Sequence, residues 1–309
     1  MTATPVCAET YPVRPVRVIV PFTPGGTVDL IGRVVGKKLS DQLGQAVVVD
    51  NRGGASGAIG TVAAAIAAPD GYTLLVGSTT TITILPQIKA HVGYDPLQDF
   101  VPLAFIAYVP HVLVVNPTVP VKTIPELIGF AKAQGEPLTV ADSGVGTPQS
   151  LAMEIFKRLT GIEVLHIPYR GGGAVLSDLL GGQVQAASVE QTVATPLIES
   201  GQLRPLGISS TSRSPVMPDL PTVAEQGVPG YEITSWFGFF APARTPPDIV
   251  ARLSAELAIA AQAAETRAAL ARVGATTVGS TGADFAHFIE RELVKWGDAI
   301  KISGVHLED

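Results

Sequence analysis

The start of the chain alternates between two hydrophobic periods. Residues 16–20 form a short run rich in β-branched side chains that ends at Pro21, which is typical of a buried strand. Over residues 27–43 the apolar positions instead recur every three or four residues, which predicts an amphipathic helix. The residues that set this spacing are Val28, Ile31, Val35 and Leu39. A strand that leads directly into a helix is therefore the first predicted unit.

The same alternation continues to residue 76. Short apolar runs at residues 46–49 and 73–76 predict two more strands, and an alanine-rich stretch at residues 61–68 predicts the helix between them. A Pro69-Asp70-Gly71 turn separates this helix from the last strand. This order of elements predicts a parallel sheet covered by helices.

A second unit of the same kind begins near residue 138. Pro148 stands at the first position of one of its helices, where the missing N–H costs nothing. The predicted strands are residues 138–140, 163–167 and 185–189, and the predicted helices are residues 147–159 and 174–180.

Two extended apolar runs separate these units. Residues 105–115 and 231–240 predict strands that cross between two lobes and form a hinge. The chain then ends in two predicted amphipathic helices, which we expect to pack on the first lobe. The first covers residues 247–273, and the second carries Phe285, Phe288, Ile289 and Trp296 on one face.

Length and composition agree with a two-lobed α/β protein. At 309 residues the chain exceeds one small domain. We assign residues 10–108 and 231–309 to the first lobe and residues 109–230 to the second. The formal net charge is −6 and the longest basic run is Lys37-Lys38, which argues against nucleic acid as a partner. No apolar stretch reaches the roughly 20 residues of a membrane-spanning helix.

Two glycine-rich loops join a strand to a helix in equivalent places. Free N–H groups and the dipole at a helix N-terminus favour an anion, and glycine allows close approach. Both loops should face one cleft, because open α/β sheets bind ligands at the carboxyl ends of their strands. The first loop contains Phe22, Thr23, Gly25, Gly26, Thr27 and Asp29, and the second contains Ser143, Val145, Gly146 and Thr147. Neither loop carries a P-loop lysine or a complete dinucleotide fingerprint.

Further polar residues follow other predicted strands. Ser78 and Thr79 offer hydroxyl groups, and Tyr169 precedes Arg170, whose planar guanidinium suits a carboxylate. Arg170 fits a surface cation equally well. Glu190 could meet a ligand amino group, although a solvated acid is the favoured interpretation.

Catalytic and metal-binding patterns are hard to find in the sequence. The histidines show neither paired metal spacing nor an evident acidic partner, and no serine stands in a G-x-S-x-G elbow. His111 falls in a predicted hinge strand and is interpreted as a packed or hydrogen-bonded residue. We therefore expect no metal, no cofactor and no enzymatic activity.

The first residues allow two interpretations. Val6-Cys7-Ala8 has the small-residue form of a secretory cleavage site, so residues 1–8 are either a signal remnant behind an introduced start or an ordinary chain terminus. Cys7 is the single cysteine. A mature chain without cysteine is compatible with an oxidising compartment.

Four segments together carry a family resemblance. They are VRVIVPFTPGGTVD, PDGYTLLVGS, HIPYRGGGAVLSDLLGGQV and RSPVMPDLPTVAEQGVPGYEITSWFGFFAPARTP. The chain resembles the substrate-binding receptors of tripartite tricarboxylate transporters, also called the Bordetella uptake gene family. The resemblance runs from about Tyr11 to the C-terminal helices.

This resemblance implies a type II periplasmic binding protein. Its fold is two α/β lobes joined by two crossing strands, which close on an organic acid and deliver it to membrane permease subunits. Ser78, Thr79, Tyr169 and Arg170 match positions that border the cleft in the family. Where many relatives carry a Phe-Asp pair, this chain has Ser188-Val189-Glu190, which leaves amino-acid recognition open. We expect a periplasmic monomer that binds a dicarboxylate or an aromatic acid.

Two other functions remain open at this level. One is an enzyme of similar layout that acts on an organic acid, and the other is a cytoplasmic ligand sensor. A base or nucleophile beside both glycine-rich loops would favour the enzyme.

Overall fold

A computed structural model of the chain describes residues 11–144, 146–169 and 172–303. Val145, Arg170 and the segment 1–8 therefore lie outside the described residues. Within the described part, the strands are β1 Val16–Val20, β2 Val47–Asn51, β3 Thr73–Ser78, β4 Phe100–Val115, β5 Leu138–Asp142, β6 Val164–Pro168, β7 Ala186–Glu190, β8 Arg204–Ile208, β9 Thr234–Pro242 and β10 Thr276–Thr281. The α-helices are α1 Thr27–Leu43, α2 Ala58–Ala65, α3 Leu85–Ile88, α4 Ile124–Ala133, α5 Pro148–Thr160, α6 Gly172–Leu180, α7 Gln191–Glu199, α8 Pro247–Gln262, α9 Ala264–Ala271 and α10 Gly282–Ser303.

The first predicted unit forms as a parallel sheet. Strand β1 lies between β2 and β3, with Val18 opposite Val49 on one side and Leu74 on the other. The β-branched residues of β1 are almost wholly buried, as a central strand requires. Helix α1 covers this sheet and ends at Gly44, which adopts the left-handed conformation that stops a helix.

The second unit repeats this arrangement. Strand β5 lies between β6 and β7 in a parallel sheet. Helix α5 begins at Pro148 as predicted, and the Thr147 side chain caps it by accepting a hydrogen bond from the Ser150 N–H at 3.3 Å. The carboxyl ends of β1 and β5 therefore each lead into a helix.

One long strand joins the two sheets. The first half of β4 pairs with β9, and the second half pairs with β7 and β8. Pro110 lies opposite Thr234, so β9 begins where β4 passes from one sheet to the other. The predicted α/β class with two lobes and crossing strands is confirmed, although both lobes share one curled sheet.

The C-terminal region departs from the prediction. The single helix expected at residues 247–273 is wrong, because Ala263 has an extended backbone with φ −57° and ψ 138° and divides it into α8 and α9. Strand β10 then pairs with β4 before α10 begins. Helix α10 packs on β4 in the first lobe and also on α5 in the second.

Aromatic side chains fill the space beside the junction. Phe285 of α10 packs against Phe105 of β4 and Phe240 of β9, with ring centroids 5.5 Å and 5.1 Å apart. Trp236 is also buried here and meets Phe285 edge to face. No helix in the described part of the chain is long and apolar enough to cross a membrane.

Candidate functional site

A cavity of about 690 Å³ lies between the two lobes. Its wall is built by the carboxyl ends of strands from both sheets and by the loops that follow them. The predicted site residues that line it are Phe22, Thr23, Gly25, Gly26, Thr27, Ser78, Thr79, Ser143, Thr147, Tyr169 and Glu190. The two glycine-rich loops therefore face one cleft.

The N-terminus of α1 opens into this cavity. Gly26 occupies the position before the helix, and it has no side chain with which to cap the first turn. A Cβ added to Gly26 would meet nothing within 4 Å, so the space in front of the helix is open. Gly25 adopts a φ of 90°, which favours glycine. An anion in the cavity can approach the N–H groups of this turn directly.

Asp29 was predicted to contact the ligand, but it lies outside the cavity lining. Its carboxylate accepts hydrogen bonds from the Gly25 N–H at 3.0 Å, from Arg33 Nε at 3.0 Å and from Asn51 Nδ2 at 3.0 Å. Burial raises the pKa of Asp29, but these hydrogen bonds outweigh burial and hold the pKa below its usual value. Asp29 therefore stabilises the conformation of the loop from the side that faces away from the cavity.

The second loop is held by a different set of contacts. Asp142 Oδ1 accepts a hydrogen bond from the Gly144 N–H at 2.9 Å, and the Thr147 hydroxyl donates to the Gly144 carbonyl at 2.8 Å. Gly146 was predicted as a ligand contact but lies outside the lining, because it packs against Ile88. Helix α5 is capped by its own Thr147, so its N-terminus is less open to an anion than that of α1.

His166 has the acidic partners that the sequence did not reveal. Its Nδ1 lies 2.9 Å from Asp142 Oδ2, and its Nε2 lies 2.9 Å from Glu154 Oε1. The other oxygen of Asp142 accepts the hydrogen bond from Gly144, so His166 stabilises the second loop through Asp142. These partners are not evident in the sequence, because Asp142 and Glu154 meet His166 only in the folded chain.

The other predicted residues occupy the ends of their strands. The Thr79 hydroxyl accepts a hydrogen bond from the Trp236 N–H at 2.7 Å, which ties the cavity wall to β9. The Tyr169 hydroxyl donates to Asp178 Oδ2 at 2.7 Å, and this hydrogen bond raises the pKa of Tyr169 to about 12. Tyr169 is thus a neutral side chain at the cavity edge.

A third glycine-rich loop was missed. Residues 53–57, with the sequence Gly-Gly-Ala-Ser-Gly, follow β2 and line the cavity. Ala55 and Ser56 adopt positive φ values of 49° and 54°, an uncommon conformation for residues other than glycine. A Cβ added to Gly144 would lie 3.1 Å from Ser56 Oγ, so this loop meets the second lobe. This loop could have been predicted from the sequence, because it shows the same pattern as the other two loops: a strand followed directly by glycines.

A chain of polar contacts runs from the junction into the cavity. His111 Nε2 lies 2.8 Å from Ser235 Oγ, and the Ser235 hydroxyl adjoins Glu190. Glu190 also adjoins Thr27, whose Oγ1 lies 2.5 Å from Thr192 Oγ1. Glu190 is partly exposed and lines the cavity, where its side chain adjoins those of Thr27 and Ser235. His111 is fully buried and hydrogen-bonded, as the sequence predicted.

The described residues show the chemistry of a binding cleft. They contain no group of three His, Cys, Asp or Glu side chains that could hold a metal ion. The cavity combines an open helix N-terminus with hydroxyl groups from both lobes, which is suited to a small molecule with an anionic group.

Comparison with known proteins gives a consistent result. The family model described as tripartite tricarboxylate transporter family receptor matches residues 31–305. Protein BugT of Bordetella pertussis is 39% identical over 311 residues, which cover 99% of this chain and 94% of BugT.

Two solved structures from Rhodopseudomonas palustris have the same fold. Rpa4515 with adipate has a TM-score of 0.93 and 36% identity, and the match covers 96% of this chain and 99% of that one. MatC with bound malate has a TM-score of 0.88 and 31% identity, with 94% and 100% covered.

Proposed function

Since this chain belongs to the tripartite tricarboxylate transporter receptor family, we propose that it captures a small organic carboxylate for uptake by such a transporter. The observation that carries this proposal is the open N-terminus of α1 in a cavity between two lobes. Free N–H groups and the helix dipole stabilise an anion at this position without a lysine.

The size of the cavity supports a small ligand. A volume of about 690 Å³ falls within the range of about 300–1,000 Å³ that is typical of small-molecule sites. The similar structures with adipate and malate indicate the chemical class. The ligand of this chain is thus a dicarboxylate or an aromatic acid.

We assign the ligand contacts to both lobes. The first lobe contributes the α1 loop and the hydroxyls of Ser78 and Thr79, and the second contributes the α5 loop, Tyr169 and Arg170. Contacts to both lobes are required, because a ligand drives closure only if it binds the closed form more tightly. We place the lobe boundaries at residues 108 and 230, near the point where β4 and β9 cross.

Titration with a panel of acids tests this function. Aliphatic dicarboxylates, benzoate and amino acids are added to the purified chain, and the midpoint of thermal unfolding and the tryptophan fluorescence are recorded. An acid at about 100 times its Kd should stabilise the protein by about 2.7 kcal/mol. Sugars and metal ions serve as controls. A shift with a control compound and with no acid contradicts the proposal.

The same experiment separates a receptor from an enzyme. A receptor returns the bound acid unchanged, whereas a chemically altered acid would favour the enzymatic alternative. Recovery of the native protein in the periplasmic fraction, together with its permease subunits in the membrane, tests delivery to the transporter. Recovery in the cytoplasm would favour a ligand sensor.

A further inference from the structure

Glu190 occupies a central position in the cavity. It ends β7, lies opposite His111 of β4 and lines the space between the lobes. Its carboxyl group lies near the hydroxyls of Thr27 in the first lobe and Ser235 at the junction, which favour its ionised form. Because Thr27 is the first residue of α1, a carboxylate held at the α1 N-terminus would lie beside Glu190.

The other residues that line the cavity determine which protonation state of Glu190 is compatible with a bound carboxylate. Among the described residues that line the cavity, Glu190 is the only Asp or Glu, and none is Lys, Arg or His. An ionised Glu190 would therefore repel a carboxylate at the N-terminus of α1. A neutral Glu190 would instead donate its O–H to that carboxylate, which is a strong charge-assisted hydrogen bond.

Among the described residues, the neighbouring titratable groups do not alter this balance. On β4, burial lowers the pKa of His111 to about 3, so its ring is neutral. On α1, Asp29 is paired with Arg33 behind the loop. Tyr169, before α6, is neutral because its pKa is raised to about 12. Burial raises the pKa of Glu190 itself, and its two hydroxyl partners oppose this change only in part.

We propose that Glu190 determines which acids the cavity accepts: in its neutral form it donates a hydrogen bond to a ligand carboxylate, so the cavity selects acids without an ammonium group. This inference rests on the proposed capture of a carboxylate. An ammonium group would instead require the ionised form of Glu190 as its partner.

Calorimetric titration of matched acids tests this assignment. Adipate is compared with 2-aminoadipate, and succinate with aspartate, at a series of pH values from about 5 to about 9. The wild type should prefer the acid without the ammonium group. Its affinity for that acid should fall by about tenfold over the pH range in which Glu190 loses its proton.

Two variants distinguish the effect of the Glu190 proton from the effect of its side chain as a hydrogen-bond donor. Glu190→Gln keeps a hydrogen-bond donor of the same size, so its affinity should stay within about threefold of the wild type at the lower pH and should not change with pH. Glu190→Ala removes the donor and should bind about tenfold more weakly. Circular dichroism confirms that both variants fold.

Other outcomes overturn the assignment. A wild type that prefers the amino acids, with that preference lost in Glu190→Gln, would show that an ionised Glu190 binds an ammonium group. Unchanged affinity in Glu190→Ala would place the ligand away from Glu190. If no acid of the panel binds the wild type, the proposed function fails. If acids bind but Glu190→Gln does not show the predicted affinity and pH independence, only the role of Glu190 is refuted.

Discussion

Thr27 Oγ1 lies 2.5 Å from Thr192 Oγ1, and this hydrogen bond joins the two lobes across the cleft. Thr27 is the first residue of α1, and Thr192 lies in the first turn of α7. Both side chains are buried. The contact bridges the two lobes, so it should stabilise the arrangement in which they meet around the cavity.

Removal of this contact should weaken ligand binding without unfolding the protein. Thr27→Val and Thr192→Val keep the side-chain shape, and each should lower the affinity for a bound acid by about fivefold, the equivalent of one hydrogen bond. The double variant should lose less than the product of the two single effects, because both remove the same bond. Calorimetric titration measures these affinities.

The control for this prediction is Thr276→Val. Thr276 is exposed on β10, where valine is well tolerated. Its affinity should equal that of the wild type. If the loss of affinity in the double variant equals the product of the losses in Thr27→Val and Thr192→Val, the two hydroxyls act independently and the prediction is wrong.

Asp29 should stabilise both the fold and the α1 loop. Asp29→Asn retains the side-chain size but removes the charge that accepts hydrogen bonds from Arg33 and Gly25, which should cost about 1–3 kcal/mol of unfolding free energy at neutral pH. The pKa of Asp29 is lowered in the folded state, so its stabilisation is present above the usual aspartate pKa of about 4 and is lost as the pH falls through the folded value.

Urea unfolding at several pH values tests the direction in which the stabilisation by Asp29 changes with pH. The difference between the wild type and Asp29→Asn should shrink toward acid pH. Asp41→Asn is the matched control, because Asp41 is an exposed residue of the same helix. A difference that grows as the pH falls would show that Asp29 is not stabilised as an anion.

The hydrophobic pattern located the strands and helices more reliably than it located their ends and contacts. The strand at residues 16–20 and the helix start at Thr27 follow directly from spacing, since each buries one continuous apolar set. The helix break at Ala263 carries no glycine or proline signal in the sequence. The position of Glu190 beside Thr27 and Ser235 is also tertiary, because these residues are distant from it in sequence.

Two facing glycines make room for the aromatic cluster. Gly77 of β3 lies opposite Gly238 of β9. A Cβ added at Gly238 would lie 2.2 Å from the Phe285 ring and 2.8 Å from the Ala104 carbonyl oxygen. Gly238→Ala should therefore destabilise the protein by about 1–3 kcal/mol or more, because the ring and the strand must both move.

Gly129→Ala is the matched control for Gly238→Ala. Gly129 lies inside α4, and a Cβ there would meet nothing within 4 Å. Alanine should stabilise this helix by about 0.5–1 kcal/mol. Urea unfolding measures both variants, and similar free energies for the two would show that the aromatic cluster accommodates an added methyl group.

His111 should make the protein less stable in acid. The ring is fully buried between Ser188 and Ser235, and burial lowers its pKa to about 3. In the unfolded chain the ring binds a proton below about pH 6.5, so between these values unfolding takes up a proton. The unfolding free energy should therefore fall as the pH decreases, by up to about 1.4 kcal/mol per pH unit from this residue.

His111→Asn tests this contribution because it removes the titrating ring. The variant should be less stable than the wild type at neutral pH, since it loses buried hydrogen bonds, but its unfolding free energy should change less between about pH 6 and about pH 4. His287→Asn, at an exposed position of α10, should keep the wild-type pH dependence. Equal slopes for His111→Asn and the wild type would show that the buried ring is not the group that titrates on unfolding.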